Sequence, residues 1–371
     1  MRENGMDWWL IGAVAPILAA GLATMYSFTG ENTAALHQLI WIAASAAAFT
    51  VLSRTDVRFL RLSSVSAVLF SGSVILLGML FVAGRISHGA ESWLSLGPLS
   101  FQPSDLAKVA LIVVLAKYFS RRHVEIHDVR HIAVSGVYAF VLFILVLVHP
   151  DLGSALLIAA IWLGMIMVSG ISKKHLFLVL AASALAAAAM WNFGFKDYQK
   201  ARLTNFLYPA ENLRSTGYNA YQSVVAIGSG EILGKGLGYG TQSRLKFLPE
   251  YQTDFVFAAF AEEWGFVGVV ILIGLYGVIV WRVLLNAARG ATNFEILFGA
   301  GVAVFFMAHI AVNIGMNMHL LPVTGTPLPF MSYGGTHLMT ESVLLGLVAA
   351  QRRFARPAHA AVAKNEFVGP R

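Results

Sequence analysis

The sequence contains no cysteine. Disulfides, thiolate metal sites and cysteine nucleophiles are therefore excluded, while the redox compartment stays open. Charge is nearly as scarce: Asp, Glu, Lys and Arg make up 12% of the 371 residues, where a soluble domain carries about a quarter. Apolar residues fill 57% of the chain, and the mean hydropathy is +0.70. Such a composition belongs in a bilayer. No HExxH metal signature occurs, and no basic stripe interleaved with aromatics points to nucleic acid.

What the chain does have is long apolar runs. A bilayer core about 30 Å thick needs ~20 apolar residues per helix. Ten runs qualify, at 8–28, 34–52, 62–84, 103–119, 131–149, 152–170, 175–195, 254–281, 294–319 and 336–353. They do not alternate as strands would, and only helices satisfy their own backbone in lipid. The expected fold is an all-α polytopic membrane protein, a single bundle of about ten transmembrane helices. The first run is too long for a signal-peptide core and lacks a basic flank, so it is read as a helix of the mature protein.

Ten spans put both termini on one side. That side would hold seventeen Lys and Arg, from Arg2, Arg54, Arg58 and Arg61 to the tail 354–371, and the other side eight. By the positive-inside rule both termini are expected in the cytoplasm. The net charge of +7 is then a membrane-surface asymmetry.

One segment breaks the rhythm of short loops. Residues 196–253 form an outer loop of 58 residues whose aromatics, among them Phe206, Tyr208 and Tyr218, predict an ordered structure. Inside it "GSGEILGKGLGYG" (228–240) places six glycines in thirteen residues. Without P-loop spacing or a preceding strand it is no nucleotide loop, and it reads as tight turns or a hinge. Two further outer loops are expected at 84–102 and 320–335, the second interrupted by Pro322, Pro327 and Pro329. No internal repeat of the transporter kind is visible.

Candidate chemistry gathers at these loops. Asp254 stands at the threshold of the eighth run, and on a helix starting there Ala258, Ala261, Gly265 and Gly268 lie within about 40° of its face. Two readings stand: a close helix contact headed by a dipole partner, or a carboxylate beside a cavity, able to serve as general base. Glu262 and Glu263 lie about 12 Å deeper and 100° apart, so at least one should pair with a polar group on another helix. "QPSDLAK" puts Pro103 at a helix start and Asp105 three residues before Lys108, on one face. That spacing predicts an ion pair, compatible with a cation held for phosphate. His309, Asn313 and Asn317 recur every fourth residue and predict hydrogen bonds between helices. Ser332, in "PFMSYGG", is outside a G-x-S-x-G elbow, which argues against a serine hydrolase.

Five motifs in order, "GAESWLSLG…FQPSDLAK", "HPDLGSAL", "YQKARLTNFLYP", "GYNAYQSVVAIGSGEILGKGLGYGTQSRLKFLPEYQTDFVFAAFAEEWG" and "NIGMNMHLLPVTGTPLPFMSYGG", closely resemble the shape, elongation, division and sporulation family. The resemblance covers residues 8–353, and "GTQSRLKFLPEYQTDF" is closer to its RodA branch than to its FtsW branch. It implies a ten-helix bacterial peptidoglycan glycosyltransferase that polymerises lipid II on the outer face of the plasma membrane, for cell elongation. Asp254 matches the family's essential aspartate. Lys108 and Asp105 match its paired lysine and acid, while Trp93, Gln102, Arg202, Gln222 and Ser332 fall in its substrate-side motifs.

The implied partners are a class B penicillin-binding transpeptidase and the membrane proteins of the elongation complex. No resident cofactor is expected; a divalent cation is the one addition this reading allows. The chain departs from the family pattern at Ser92 (usually Arg), Asp105 (usually Glu), His149 (usually Gln or Glu) and Thr336-His337 (usually two small residues).

A glycosyl transfer needs a base for the acceptor hydroxyl and a cation for the departing pyrophosphate. Both substrates are held by lipid tails, so the base must sit at the membrane surface. Asp254 meets that requirement, and no second carboxylate is placed as a nucleophile, which predicts inversion. The competing readings are a lipid II flippase, a non-catalytic scaffold and a division polymerase of the FtsW branch.

Overall fold

A computed structural model of the chain describes residues 7–28, 33–83, 85–87, 90–96, 99–121, 129–208, 217–245 and 247–354. Each of the ten apolar runs forms a helix: α1 (Trp8–Phe28), α2 (Thr33–Ser53), α3 (Ser63–Ala83), α4 (Pro103–Ser120), α5 (Val129–Val148), α6 (Leu152–Val168), α7 (Lys173–Phe193), α11 (Val256–Ala288), α12 (Asn293–Asn317) and α13 (Gly335–Phe354). The long loop supplies the three shorter ones, α8 (Asp197–Leu207), α9 (Tyr218–Ser229) and α10 (Thr241–Arg244). Seven helices, α1, α2, α3, α5, α7, α11 and α12, are long and apolar enough to cross a membrane. The chain is an all-α polytopic membrane protein.

Helix α4 falls outside that set because it carries Asp105, Lys108 and Lys117. Those charges are tolerable for a positional reason. Helix α4 packs against α3, α6 and α12, and it buries nearly every residue from Pro103 to Phe119. An acid facing lipid would cost several kcal/mol on insertion, about 2.5–3.5 on the biological scale; the interior of a bundle lets it find a partner. Helix α12 is likewise central, whereas α7 is almost wholly exposed along its length.

Residues 84–102, expected as a plain loop, contain a small antiparallel meander. Strands β1 (Arg85–Ser87), β2 (Ala90–Leu96) and β3 (Leu99–Phe101) pair in order, with Leu94 opposite Phe101 and Leu96 opposite Leu99. The alternation of "AESWLSL" carried the signal, but turn residues bound it too closely to read as a strand.

The small-residue stripe on α11 requires a correction. It does not flank an open space: Ala258 and Ala261 are buried, Gly230 lies against Ala261 and Gly234 against Gly265, and Gly268 is covered by Trp264 and Phe260 of α11 itself. Helix α11 breaks at Gly265, whose φ of 64° and ψ of −168° are non-helical. Backbone groups released by the break bond to the loop instead. Lys235 and Gly236 donate to the carbonyls of Glu262 and Glu263 at 3.0 Å each, while Phe266 and Val267 donate to Glu231 and Ile232 at 2.9 and 3.1 Å. A methyl at Gly234 or Gly265 would collide with the opposing backbone, which is why both positions carry glycine.

The two deep glutamates serve this junction. Glu262, fully buried, accepts from the Lys235 ammonium at 2.7 Å, the Thr241 N–H at 2.8 Å and the Thr241 hydroxyl at 3.0 Å. Glu263 accepts from the Gly238 N–H at 2.7 Å. Glu262 is thus paired with other helices, as expected: Thr241 lies on α10, and the Ser229 hydroxyl of α9 also donates to it at 3.3 Å. Lys235 and Gly238 come from the segment between those helices. At the far end of α11, Arg282 and Asn286 donate to the Asp7 carboxylate at 2.8 and 2.9 Å, tying the entrance of α1 to the bundle.

Candidate active site

Asp254 precedes α11, whose N-cap is Phe255, so the carboxylate projects from a turn and not from a helical face. The turn is held through its backbone. The side-chain amides of Asn313 and Asn317 both donate to the Asp254 carbonyl at 3.0 Å. Asn313 also donates to the Thr326 carbonyl at 2.7 Å, and Asn317 accepts the Ala258 N–H at 3.2 Å. Two residues of the three-residue stripe thus converge on the backbone oxygen of the candidate base, while His309 turns to the Phe305 carbonyl and Lys108. Ser223 on α9 completes the clamp by donating to the Asn317 carbonyl at 2.8 Å.

The loop from 318 to 334 closes over the same turn. Ser332 donates its hydroxyl to the Thr253 carbonyl at 2.6 Å and accepts the Leu328 N–H at 2.8 Å, while the Tyr333 N–H donates to the Gln252 carbonyl at 2.8 Å. Gly325, at φ +72°, lies against the Asp254 carboxylate: a Cβ there would stand 3.3 Å from Oδ2. A side chain at 325 would crowd the oxygen that must take a proton. Asp254 itself remains partly exposed, as a base meeting an external hydroxyl must be.

The Lys108–Asp105 pair forms as the spacing predicts, at 2.8 Å, with the two side chains 2% and 1% exposed. Two features of its setting were not anticipated. His337 on α13 places Nδ1 3.3 Å from both Asp105 oxygens, and the His309 Nε2 lies 3.5 Å from the Lys108 ammonium. The signal for the first was present, since His337 and Glu341 repeat the four-residue spacing of the α12 stripe.

The remaining expected residues are dispersed. Gln102 caps α4 by position and donates to Asp151, the N-cap of α6, at 3.2 Å. Arg202 and Gln222 are partly buried on α8 and α9, Gln222 next to the clamp residue Ser223. Trp93 lies on β2 with its backbone opposite Arg85; its side chain, like that of Ser92, is outside the described residues, as are residues 355–371 of the tail. Ser332 bonds the backbone beside Asp254, donating to the Thr253 carbonyl. His149, another departure, bonds the Leu77 carbonyl at 3.0 Å and is buried between α3 and α6. Among the described residues no group of three or more His, Asp or Glu could hold a metal ion.

The family model FTSW_RODA_SPOVE, described as cell cycle protein, matches residues 5–356. Peptidoglycan glycosyltransferase MrdB of Escherichia coli strain K12 is 39% identical over 275 residues, covering 74% of each chain. A solved structure described as "Structural coordination of polymerization and crosslinking by a peptidoglycan synthase complex" superposes with a TM-score of 0.82 at 32% identity, over 95% of this chain and 99% of the other. The crystal structure of the Thermus thermophilus rod shape determining protein RodA superposes with a TM-score of 0.70 at 30% identity, over 94% and 97%. With a match that spans nearly its whole length, the chain belongs to the FtsW/RodA/SpoVE family of cell cycle proteins.

Proposed function

We propose that this protein is a peptidoglycan glycosyltransferase that polymerises lipid II, with Asp254 as general base. One observation carries the reading. A partly exposed carboxylate is fixed at a helix entrance by two buried asparagines on its own carbonyl and a serine on the carbonyl of Thr253, while a glycine keeps the space beside the oxygen clear. Clamping the main chain while leaving the acid accessible suits a proton acceptor that must keep its position through a reaction. The E. coli relative bearing that enzyme name supports the substrate class.

In the proposed step the acceptor sugar hydroxyl loses its proton to Asp254 as its oxygen bonds to the anomeric carbon of the donor. The bond from that carbon to the pyrophosphate breaks, and the electron pair leaves with the lipid pyrophosphate. Attack opposite the leaving group inverts the configuration. Lys108 is the proposed cation on the pyrophosphate side; since its ammonium already meets Asp105, it would act with that carboxylate and not as a free charge.

The excess of Lys and Arg on the side of the termini supports a cytoplasmic tail and an Asp254 site on the outer face. There a class B penicillin-binding transpeptidase would receive the strands, alongside the membrane proteins of the elongation complex. The test is to give the purified protein lipid II with no other polymerase. Glycan chains are expected, and Asp254→Asn should abolish them while leaving the inserted protein intact. Turnover of Asp254→Asn within about tenfold of wild type, ~1.4 kcal/mol of barrier, would remove Asp254 as the base. Lipid II crossing vesicles without chain formation would replace the polymerase by a flippase.

A further inference from the structure

The Lys108–Asp105 pair sits at one end of a buried polar chain that reaches the Asp254 turn. Asp105 meets Nδ1 of His337 at 3.3 Å. On the other side of the same ring, Nε2 lies 2.9 Å from Glu341, an ion-pair distance although the N–H is not aimed squarely at the oxygen. The second Glu341 oxygen accepts the Phe330 N–H at 2.9 Å. Phe330 belongs to the loop whose Ser332 and Tyr333 bond Thr253 and Gln252. His309 lies beside His337, its ring tilted and the centroids 5.0 Å apart, and closes the cluster from α12.

All of these groups are buried: Asp105, Lys108, His309, His337 and Glu341 range from 0% to 5% exposed. Such clusters are not a route to stability. Replacing buried ion pairs with well-packed apolar residues is often neutral or stabilising, so their use calls for another account. The geometry supplies one. A carboxylate as short as Asp105 can turn about its side-chain bonds unless a second donor holds it, and His337 reaches both of its oxygens. Glu341 in turn fixes the ring and reaches the loop. Carboxylates only accept, so a ring facing one on each side suits a proton on both nitrogens.

We infer that His337 is a positioning residue: from α13 its Nδ1 holds the Lys108–Asp105 pair in place, with Glu341 behind the ring. The inference rests on the proposed polymerase reading. It assigns the departure at His337 a purpose, namely to hold an acid one methylene shorter than the family's usual glutamate.

Two amide substitutions separate the arms of His337. The Asn amide nitrogen falls near Nδ1 and can still reach Asp105, whereas the Gln nitrogen falls near Nε2 and can reach only Glu341. Full-length protein with its transpeptidase partner is supplied with lipid II, and turnover is read per folded molecule. Under the inference His337→Asn keeps turnover within about threefold of wild type, while His337→Gln loses about tenfold or more with KM little changed. A third arm pairs His337→Ala with Asp105→Glu, whose longer carboxylate enters the vacated space; this double variant is expected to regain turnover lost in His337→Ala. Equal turnover of the Asn and Gln variants, or a His337→Ala defect confined to the amount of folded protein, would overturn the inference. If the wild type makes no chains, the polymerase reading fails instead. The coupling is then read from melting temperatures of His337→Gln, Asp105→Asn and their combination: non-additive shifts uphold the contact, and additive ones overturn it.

Discussion

Asn317 grips Asp254 by its backbone, donating to the carbonyl at 3.0 Å while its own side-chain oxygen accepts the Ala258 N–H at 3.2 Å. One side chain therefore fixes both the turn leading into α11 and the first turn within it. Fully buried, it does so without water to compete, where an orphaned carbonyl costs about 1–3 kcal/mol.

The first prediction follows from that grip. Asn317→Ala removes one of the two amides on the Asp254 carbonyl and the acceptor of the Ala258 N–H on α11. Turnover per folded molecule should fall about tenfold, because misplacing a base by a fraction of an ångström is costly. The Asp254 carboxylate is still present, so residual chain synthesis is expected, unlike in Asp254→Asn. Lipid II polymerisation by the two variants, side by side and normalised to folded protein, checks the order. An Asn317→Ala enzyme at wild-type turnover would refute the positioning role.

How far the sequence foretold this site can be argued residue by residue. The ten helices were legible because a bilayer imposes length and apolarity on each one separately, with no knowledge of its neighbours. The Lys108–Asp105 pair was legible for a similar reason, both partners lying within one helical turn. What stayed hidden was contact between distant segments. The spacing of Asn313 and Asn317 showed a shared face but not that the face met a carbonyl at 254. Likewise the stripe from Ala258 to Gly268 showed a need for close approach, and read alone it suggested an opening. The partner was the glycine-rich loop, about thirty residues earlier in the chain.

That loop gives the second prediction. Gly234→Ala places a methyl against the Glu263 carbonyl at a residue whose φ is +80°. Neither the break in α11 nor the loop can yield without losing the bonds between them, so a loss of more than about 2 kcal/mol is expected. Gly277→Ala, farther along α11, has nothing within 4 Å of the new methyl and should be neutral or stabilising by up to about 1 kcal/mol. Melting temperatures in detergent rank the two variants. Wild-type stability of Gly234→Ala would mean that the loop leaves the break readily, as a hinge would.

A third prediction concerns the acid beneath it. Removing Lys235 from Glu262 leaves the Thr241 and Gln242 N–H groups and the Thr241 hydroxyl still bonding that carboxylate. Lys235→Met should therefore be tolerated, at a cost of about 1 kcal/mol or less for a partly exposed cation. Glu262→Leu takes the acceptor from several part-buried donors at once and should cost more, about 2 kcal/mol. Inserted protein recovered after solubilisation, with its melting temperature, gives the comparison. Equal damage from both would show that the ion pair, and not the backbone donors, holds the junction.

The last prediction concerns the opposite end of α11 and turns on pH. Burial pushes the Asp7 carboxyl upward, but the hydrogen bonds from Arg282 and Asn286, and the Arg282 charge, outweigh it and hold the group below the usual carboxylate range. A carboxyl depressed on folding stabilises the fold in full above its unfolded value, about 3.9, and loses that contribution as the pH falls through its folded value. Asp7→Asn, which leaves Arg282 without its counter-charge, should accordingly lower the melting temperature at neutral pH. As the pH falls through the folded value, the wild type protonates toward the same neutral state, so the gap between the two should narrow. Measuring the difference, and not either curve alone, removes the titration of every other carboxylate shared by both proteins. A gap that stayed constant from neutral to acid pH would mean that Asp7 acts there through packing, without its charge.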